Sequence, residues 1–280
     1  MSLYVRPSSL PEALDALEAR RLKVLAGGTD FYPARVGRPI DDDILDITAI
    51  EDLRGITQVG GHWRIGATTT WTDLIDAELA ACFDGLKLAA REVGGMQIQN
   101  AGTVAGNLCN ASPAADGIPP LLTLDARVEL SRSSGRREVA LADFVRGNRQ
   151  TDCGDDELLT AILVPEPHAA TRSHFLKLGA RRYLVISIVM VAGLLEPDEA
   201  GAVAAARLSV GACTARAIRL PALEAALVGL PLDGDLGAAL RPEHLDELQP
   251  IDDCRGSAAY RHEAAATLLR RLLNVLGTAP

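Results

Sequence analysis

Residues 101–116 read AGTVAGNLCNASPAAD, and the interpretation of the whole chain depends on this stretch. Two glycines, Gly102 and Gly106, allow another group to approach the backbone closely. Small side chains that donate or accept hydrogen bonds lie between and after them, namely Thr103, Asn107, Asn110, Ser112 and Asp116. The pattern fits two structures about equally well: a polar cap on a helix that begins near Thr103, or a pocket for a cofactor with phosphates and a sugar.

A second glycine-rich loop comes earlier in the chain. Residues 24–31 read VLAGGTDF and place two glycines directly after an apolar strand. Consecutive backbone N–H groups in such a turn form a concave donor surface that suits a phosphate, although a lone pair of glycines is more often a tight turn. The loop matches neither the Rossmann nor the P-loop pattern, so neither of those mechanisms is indicated.

The composition is that of an ordinary globular protein. Of the 280 residues, 48% are hydrophobic and 23% are charged, which suits one large domain or two smaller ones. The net charge of −9 argues against the basic stripe of a nucleic-acid-binding surface. No apolar run reaches membrane-spanning length, and the N-terminus lacks the apolar core of a signal peptide.

The cysteines are widely spaced, and no two form a C-x-x-C pair; they are Cys82, Cys109, Cys153, Cys213 and Cys254. Scattered thiols in odd number are typical of reduced proteins in the cytoplasm. They also argue against a zinc ion or an iron–sulfur cluster held by this chain.

Hydrophobic periodicity predicts a mixed α+β chain. A strand, a helix and a second strand open it as a β-α-β unit with parallel pairing, and hairpins are expected at Gly60-Gly61 and Ser133–Gly135. Prolines near residue 168 mark a domain boundary. Beyond it, residues 183–196 predict a buried strand or strand pair, followed by an antiparallel sheet. Residues 260–276 predict a helix with the apolar face Ala265, Leu268, Leu269, Leu272 and Leu276.

The two loops, in this order, resemble the FAD-binding subunits and domains of the molybdenum hydroxylases, the family of xanthine dehydrogenase and aerobic carbon monoxide dehydrogenase. AGGTD at 26–30 is similar to the first flavin motif of that family, and TVAGNLCNASPAAD at 103–116 to the second. FLKLGARR at 175–182 resembles its lysine-bearing strand, and residues 250–273 resemble the end of its last domain. The resemblance covers nearly the whole chain.

The resemblance implies an α+β fold with a two-part FAD-binding domain of the vanillyl-alcohol-oxidase (PCMH) type, followed by an α+β C-terminal domain. The FAD-binding domain is expected at residues 1–168, with subdomains at about 1–55 and 56–168. The second domain, of the carbon monoxide dehydrogenase flavoprotein type, is expected at 169–280.

The resemblance also implies where FAD binds. Backbone N–H groups of both glycine loops would hold the pyrophosphate, and side chains of the second loop the ribityl or ribose hydroxyls. Leu159 would pack on the flavin or adenine ring, and Lys177 would lie near the isoalloxazine ring, where a cation stabilises the anionic reduced flavin. No catalytic residue or metal ligand is implied. The full set is Leu25, Ala26, Gly27, Gly28, Thr29, Asp30, Phe31, Gly102, Thr103, Gly106, Asn107, Asn110, Ser112, Asp116, Leu159 and Lys177.

The chain departs from the second motif of the family at one position, because Ala105 stands where a glycine is usual. If that position takes a positive φ, an alanine would weaken or shift FAD. We expect the change to be tolerated, because Gly106 remains next to Asn107. The chain also lacks the cysteine-rich insertion that carries an additional iron–sulfur cluster in some benzoyl-CoA reductase relatives.

By this resemblance the chain is an oxidoreductase subunit that takes electrons from [2Fe-2S] clusters on a small partner and passes them from FAD to a terminal acceptor. The molybdenum cofactor would lie on a large partner, in a cytoplasmic dimer of heterotrimers without nucleic acid. Two alternatives are a stand-alone flavin oxidase and a scaffold subunit that has lost flavin, which Ala105 alone supports. No pattern in the sequence identifies the substrate or the acceptor, which could be NAD, a quinone or oxygen.

Overall fold

The computed structural model describes residues 2–168, 170–232 and 235–278. Residue 169, at the expected domain boundary, and the terminal residues 279 and 280 lie outside the described residues. Within the described ranges, no helix is long and apolar enough to cross a membrane. The chain forms three packed units, each built on its own sheet.

The first unit is a small parallel sheet covered by one helix. It contains β1 (Tyr4–Val5), α1 (Leu10–Ala19), β2 (Lys23–Leu25) and β3 (Ile44–Asp46). The strands pair in parallel in the order β1–β3–β2, which confirms the predicted β-α-β unit. Leu14 and Leu17 of α1 are buried against Leu45 of β3, so the helix seals one face of the sheet.

The second unit combines an antiparallel sheet with short helices. Its strands are β4 (Ile56–Val59), β5 (His62–Gly66), β6 (Arg127–Arg132), β7 (Gly135–Ala140), β8 (Val145–Gly147), β9 (Gln150–Thr151) and β10 (Leu158–Pro165). Its helices are α2 (Trp71–Asp76), α3 (Asp84–Glu92), α4 (Met96–Ala101), α5 (Val104–Asn110), α6 (Ile118–Thr123) and α7 (Leu141–Phe144). The main sheet has the order β4–β5–β10–β6–β7, and β8–β9 is a separate hairpin.

Local turn chemistry sets both predicted hairpins of the second unit. Gly60 and Gly61 have φ of +60° and +78°, the left-handed region that a two-residue turn between β4 and β5 requires. β6 turns into β7 at the predicted place, with Arg132 paired to Gly135. β10 then inserts between β5 and β6, so both of its edges are paired.

The third unit is an antiparallel sheet with a long helix packed on it. It contains β11 (Arg172–Leu178), β12 (Val189–Pro197), β13 (Val203–Gly211), β14 (Ile218–Arg219), α8 (Pro221–Leu227) and α9 (Ala258–Thr278). The strands pair antiparallel, as predicted, and follow one another in sequence order. The predicted apolar face of α9 is buried throughout, at Ala265, Leu268, Leu269, Leu272 and Leu276.

The prediction of strand structure throughout residues 183–196 is wrong for its first part. β12 begins only at Val189, and the preceding loop is closed by the backbone N–H of Ile188, which donates to the carbonyl of Leu178 at 2.8 Å. Leu184 has φ of +53° and is 58% exposed. A strand cannot pass through a residue in the left-handed region, so this apolar segment forms a loop.

An ion-pair cluster joins the second and third units. Asp125 follows α6 with φ of +50° and lies 2.5 Å from Arg207 and 2.7 Å from Arg219. α6 itself packs against β12 and β13, and α3 packs against β11. β11 thus lies against α3, and α6, which follows the second glycine loop in the chain, lies against β12 and β13.

Candidate cofactor site

The two glycine-rich loops lie directly against each other. Gly27 follows β2, and a Cβ atom built on it would stand 1.9 Å from the carbonyl oxygen of Ala101 and 2.9 Å from the Cα of Gly102. Any side chain at Gly27 would therefore force the loops apart. Gly28 has φ of +70°, so the first loop turns through the left-handed region beside this contact.

The first loop presents a row of free hydrogen-bond donors. Residues 27–31 lie outside helices and strands, and within the described ranges their backbone N–H groups donate to no protein acceptor. Backbone N–H groups seldom lack a partner in folded proteins, and a run of them around a left-handed turn forms an anion-binding concavity. The loop therefore fits a ligand with phosphate oxygens.

The second loop is both a helix cap and a wall of the site. Thr103 is the N-cap of α5, and its Oγ1 accepts a hydrogen bond from the backbone N–H of Gly106 at 2.9 Å. The N–H of Trp71 donates to the carbonyl of Gly102 at 3.1 Å and fixes the approach to the cap. The helix cap, one of the two structures that the sequence left open, is therefore confirmed.

Ala105 is accommodated without backbone strain. It lies inside α5, is almost fully buried, and is not among the residues with positive φ. The condition under which alanine would weaken FAD binding is therefore not met at this position.

We expect Ala105→Gly to lower stability without raising FAD affinity. Glycine in a helix costs about 0.5–1 kcal/mol relative to alanine, and no strained φ is relieved in return. Urea unfolding and FAD titration measure the two effects, and Ala16→Gly in α1 gives the cost of a helical glycine alone. A tighter FAD complex in the Ala105 variant, absent from the control, would contradict this account.

A cavity of about 970 Å³ runs along the two loops. Its size lies at the upper end of the range for small-molecule sites, about 300–1,000 Å³. Every residue that the family resemblance implied, from Leu25 to Lys177, lines it. Leu25 and Leu159 give it buried apolar surface. The structure thus brings the whole set together, while the part of a cofactor that each residue contacts stays a prediction.

A buried ion pair forms part of the cavity wall. Lys177 Nζ lies 2.6 Å from Asp116 Oδ2, with the two side chains 6% and 8% exposed. Lys177 also donates to the carbonyl of Glu92 at 3.1 Å, and Ser187 Oγ donates to Asp116 Oδ1 at 2.5 Å. Burial raises the pKa of Asp116, whereas Lys177 and Ser187 oppose that rise. Both carboxylate oxygens therefore already have protein partners.

The amide and hydroxyl side chains of the second loop are held in place by protein contacts. Asn107 Oδ1 accepts from the N–H of Gly117 at 3.3 Å, and Asn110 Oδ1 accepts from Arg149 Nη1 at 2.5 Å. Ser112 Oγ accepts from a backbone N–H two residues on, at 3.2 Å. In the part of the chain that the structure describes, the Nδ2 groups of both asparagines have no protein acceptor and can donate to a ligand.

Several cavity residues were missed by the sequence analysis. The guanidinium of Arg35 lies 3.7 Å from the centre of the Phe31 ring. Arg149, with φ of +55°, lines the wall beside Asn110, and Trp71 is buried beneath the second loop. Trp71 stands at the start of α2, three helices before this loop in the sequence, so no local pattern placed it beneath the loop. The positions of Arg35 and Arg149 depend on tertiary contacts that no local pattern encodes.

Comparisons with known proteins agree with this geometry. A family model described as the FAD binding domain in molybdopterin dehydrogenase matches residues 1–167, and one described as the CO dehydrogenase flavoprotein C-terminal domain matches residues 174–276. The chain is 30% identical over 279 residues to the nicotinate dehydrogenase FAD-subunit of Eubacterium barkeri, covering 96% of this chain and 94% of that protein. It is 32% identical over 279 residues, with the same coverage, to the carbon monoxide dehydrogenase medium chain of Afipia carboxidovorans.

A comparison with solved structures agrees with the family models. The chain matches a chain of reconstituted CO dehydrogenase from Oligotropha carboxidovorans with a TM-score of 0.91 and 28% identity, covering 100% of this chain and 99% of that one. The matching models define a flavoprotein in which an FAD-binding domain is followed by a C-terminal flavoprotein domain. The chain belongs to the family of FAD-binding medium subunits of the molybdenum hydroxylases.

This membership confirms the predicted α+β fold class, the FAD cofactor and the assignment to oxidoreductase subunits. The relatives are named as FAD or medium subunits of dehydrogenases. None of these comparisons favours a stand-alone flavin oxidase or a flavin-free scaffold over this assignment.

Proposed function

We propose that the chain binds FAD between its two glycine loops and serves as the electron exit of a molybdenum hydroxylase. The observation that carries the proposal is the contact of Gly27 with Ala101, beside the N–H groups of residues 27–31, which have no protein acceptor among the described residues. Bound FAD would supply a redox carrier that accepts electrons and releases them. The protein's own task is then to bind, orient and shield this carrier, without an acid or base for the substrate.

Each part of the cavity suits a different part of the cofactor. The free donors of the first loop and the capped start of α5 suit the pyrophosphate, since both present N–H groups to an anion. Asn110 and Ser112 suit the ribityl and ribose hydroxyls. Asp116 can also accept from a hydroxyl, because each carboxylate oxygen has a second lone pair. Leu159 offers apolar surface to a ring, and Lys177 brings a cation toward the isoalloxazine ring.

The proposal extends to the assembly and its location. A small [2Fe-2S] subunit would donate the electrons, and a large subunit with the molybdenum cofactor would oxidise the substrate, in a dimer of heterotrimers. The names of the relatives, FAD-subunit and medium chain, support a division into subunits. The free state of all five cysteines supports a cytoplasmic location.

The proposal also includes the domain bounds. The FAD-binding domain would span 1–168, in subdomains of about 1–55 and 56–168, and the C-terminal domain 169–280.

A visible absorbance spectrum tests the proposal directly. The purified chain is mixed with FAD, desalted and scanned, and FMN is tried in parallel because it lacks the second phosphate and the adenosine. We expect the twin bands of bound flavin at about one FAD per chain, and little retained FMN, because the loops hold a pyrophosphate.

A colourless chain leads to the same measurement on the complex co-expressed with its two partner subunits. Flavin bands in that complex support the site and show that the partners help to close it. A complex without flavin contradicts the assignment of this cavity to FAD.

A further inference from the structure

Ser187 completes the buried polar cluster in the cavity wall. We propose that Ser187 is a positioning residue for the flavin site, whose hydroxyl keeps Asp116 anionic and thereby keeps Lys177 paired beside the cofactor. This inference rests on the proposed FAD function of the cavity. It assigns a role to a residue that neither glycine loop nor the lysine strand contains.

The hydrogen-bond geometry gives Ser187 a defined partner. Its side chain is almost fully buried, and its O–H donates to Asp116 Oδ1 at 2.5 Å, while Lys177 holds Oδ2 at 2.6 Å. An ionised carboxylate only accepts, so the serine must be the donor, and such charge-assisted bonds are short and strong. Asp116 comes from the second unit and its two partners from the third, so the cluster also ties these units together.

The backbone holds Ser187 at this place. Its neighbour Ile188 donates its N–H to the carbonyl of Leu178 at 2.8 Å, and the carbonyl of Ile188 accepts from Arg261 Nη1 at 2.7 Å. Ser187 therefore lies where the exposed loop ends and the β11–β12 ladder begins. Its hydroxyl is aimed by a rigid element, as positioning requires.

The charged groups around Asp116 determine how loss of the Ser187 hydroxyl changes the pKa of Asp116. Burial raises the pKa of Asp116, Lys177 of β11 opposes that rise, and the carboxylate of Glu92 at the end of α3 adds to it. Removal of the Ser187 hydrogen bond raises that pKa further. Asp116 then gains its proton at a higher pH than in the wild type. A protonated Asp116 no longer balances the buried Lys177, and FAD binding weakens as the pH falls.

Two nearly isosteric substitutions isolate the hydroxyl. Ser187→Thr keeps the donor and Ser187→Val removes it, with Ser187→Ala as the smaller donor-free variant in case valine does not fit. FAD affinity is measured by flavin fluorescence from about pH 5 to about pH 8. We expect donor-free variants to bind FAD about tenfold more weakly at the acidic end, which is the usual size for a lost hydrogen bond to a charged group. At the alkaline end the FAD affinity of the donor-free variants should approach that of the wild type. The affinity of Ser187→Thr should equal that of the wild type at every pH.

A matched control and a second background separate this role from general stability. Ser209 is a buried serine of β13 that donates to the carbonyl of Ile218 at 3.0 Å and does not line the cavity, so Ser209→Ala should leave the pH profile unchanged. In an Asp116→Asn background, Ser187→Val should have no further pH-dependent effect, because the titrating group is gone.

The outcomes distinguish the inference from the function on which it rests. If neither the wild-type chain nor its complex binds FAD, the proposed function fails. If the wild type binds FAD and the threonine and valine variants have the same pH profile, Ser187 has no positioning role. A pH-dependent effect of Ser187→Val that persists in the Asp116→Asn background overturns the role as well.

Discussion

The Gly27→Ala chain is expected to lose its FAD. The new methyl group would stand 1.9 Å from the carbonyl oxygen of Ala101, which belongs to the backbone and cannot rotate away. The loops must separate to relieve this overlap, and the row of N–H groups then no longer converges on one ligand. Forced overpacking costs about 3 kcal/mol, which corresponds to about a hundredfold loss of affinity if it appears in binding. The loss of affinity is measured by titrating the chain with FAD and following flavin fluorescence.

Gly147→Ala is the matched control for this prediction. Like Gly27, Gly147 has no positive φ; it is a buried glycine, and a Cβ atom there would meet only the end of the Gln150 side chain, at 3.4 Å. It does not line the cavity, so its variant should bind FAD as the wild type does. An unchanged affinity in the Gly27→Ala chain would show that the contact between the loops is not needed for FAD.

Arg261→Met is expected to lower the free energy of unfolding by about 2–3 kcal/mol. Arg261 is buried in α9, and its Nη1 donates to the carbonyls of Ile188 at 2.7 Å and Ala212 at 3.2 Å, while Nη2 donates to Asp253 at 2.6 Å. Methionine would fill the volume but leave both carbonyls without this donor. The loss is limited because Nε of Arg261, among the described residues, is a buried donor without an acceptor, so its removal is favourable. Urea unfolding measures the change.

Arg255→Met separates the buried contacts from the ion pair. Arg255 binds the same carboxylate, Asp253, at 2.8 Å, but its side chain is 38% exposed. An exposed pair contributes about 0–1 kcal/mol, so this variant should unfold close to the wild type. Equal destabilisation by the two substitutions would mean that the carboxylate, and not the buried carbonyls, accounts for the effect.

Sequence patterns predicted the elements whose signal is local. The turn at Gly60-Gly61 and the buried face of α9 depend on residues that are neighbours in the chain or one helical turn apart. The strand expected from residue 183 was wrong because apolar composition cannot distinguish a buried strand from a loop whose side chains face a cavity. Leu184 shows the difference, since it is apolar, half exposed and in the left-handed region.

In the candidate site, too, the sequence predicted local features but not contacts between residues far apart in the chain. The resemblance named residues that all line one cavity, but it did not show their contacts with one another. Lys177 and Ser187 follow their partner Asp116 by 61 and 71 residues, and only the packing of the third unit on the second brings them together. The sequence also could not show whether Ala105 weakens FAD binding, because that depends on the backbone φ at this position.

The central place of β10 imposes an order on biosynthesis. β5 and β6 leave the ribosome first, but neither can pair with β10, the strand between them, until Pro165 at the end of β10 has been made. Such non-local pairing is slow and leaves strand edges open during translation. Lys177 and Ser187 emerge later still. The pocket therefore comes into existence only after two thirds of the polypeptide have been synthesised, and flavin loading must follow that point.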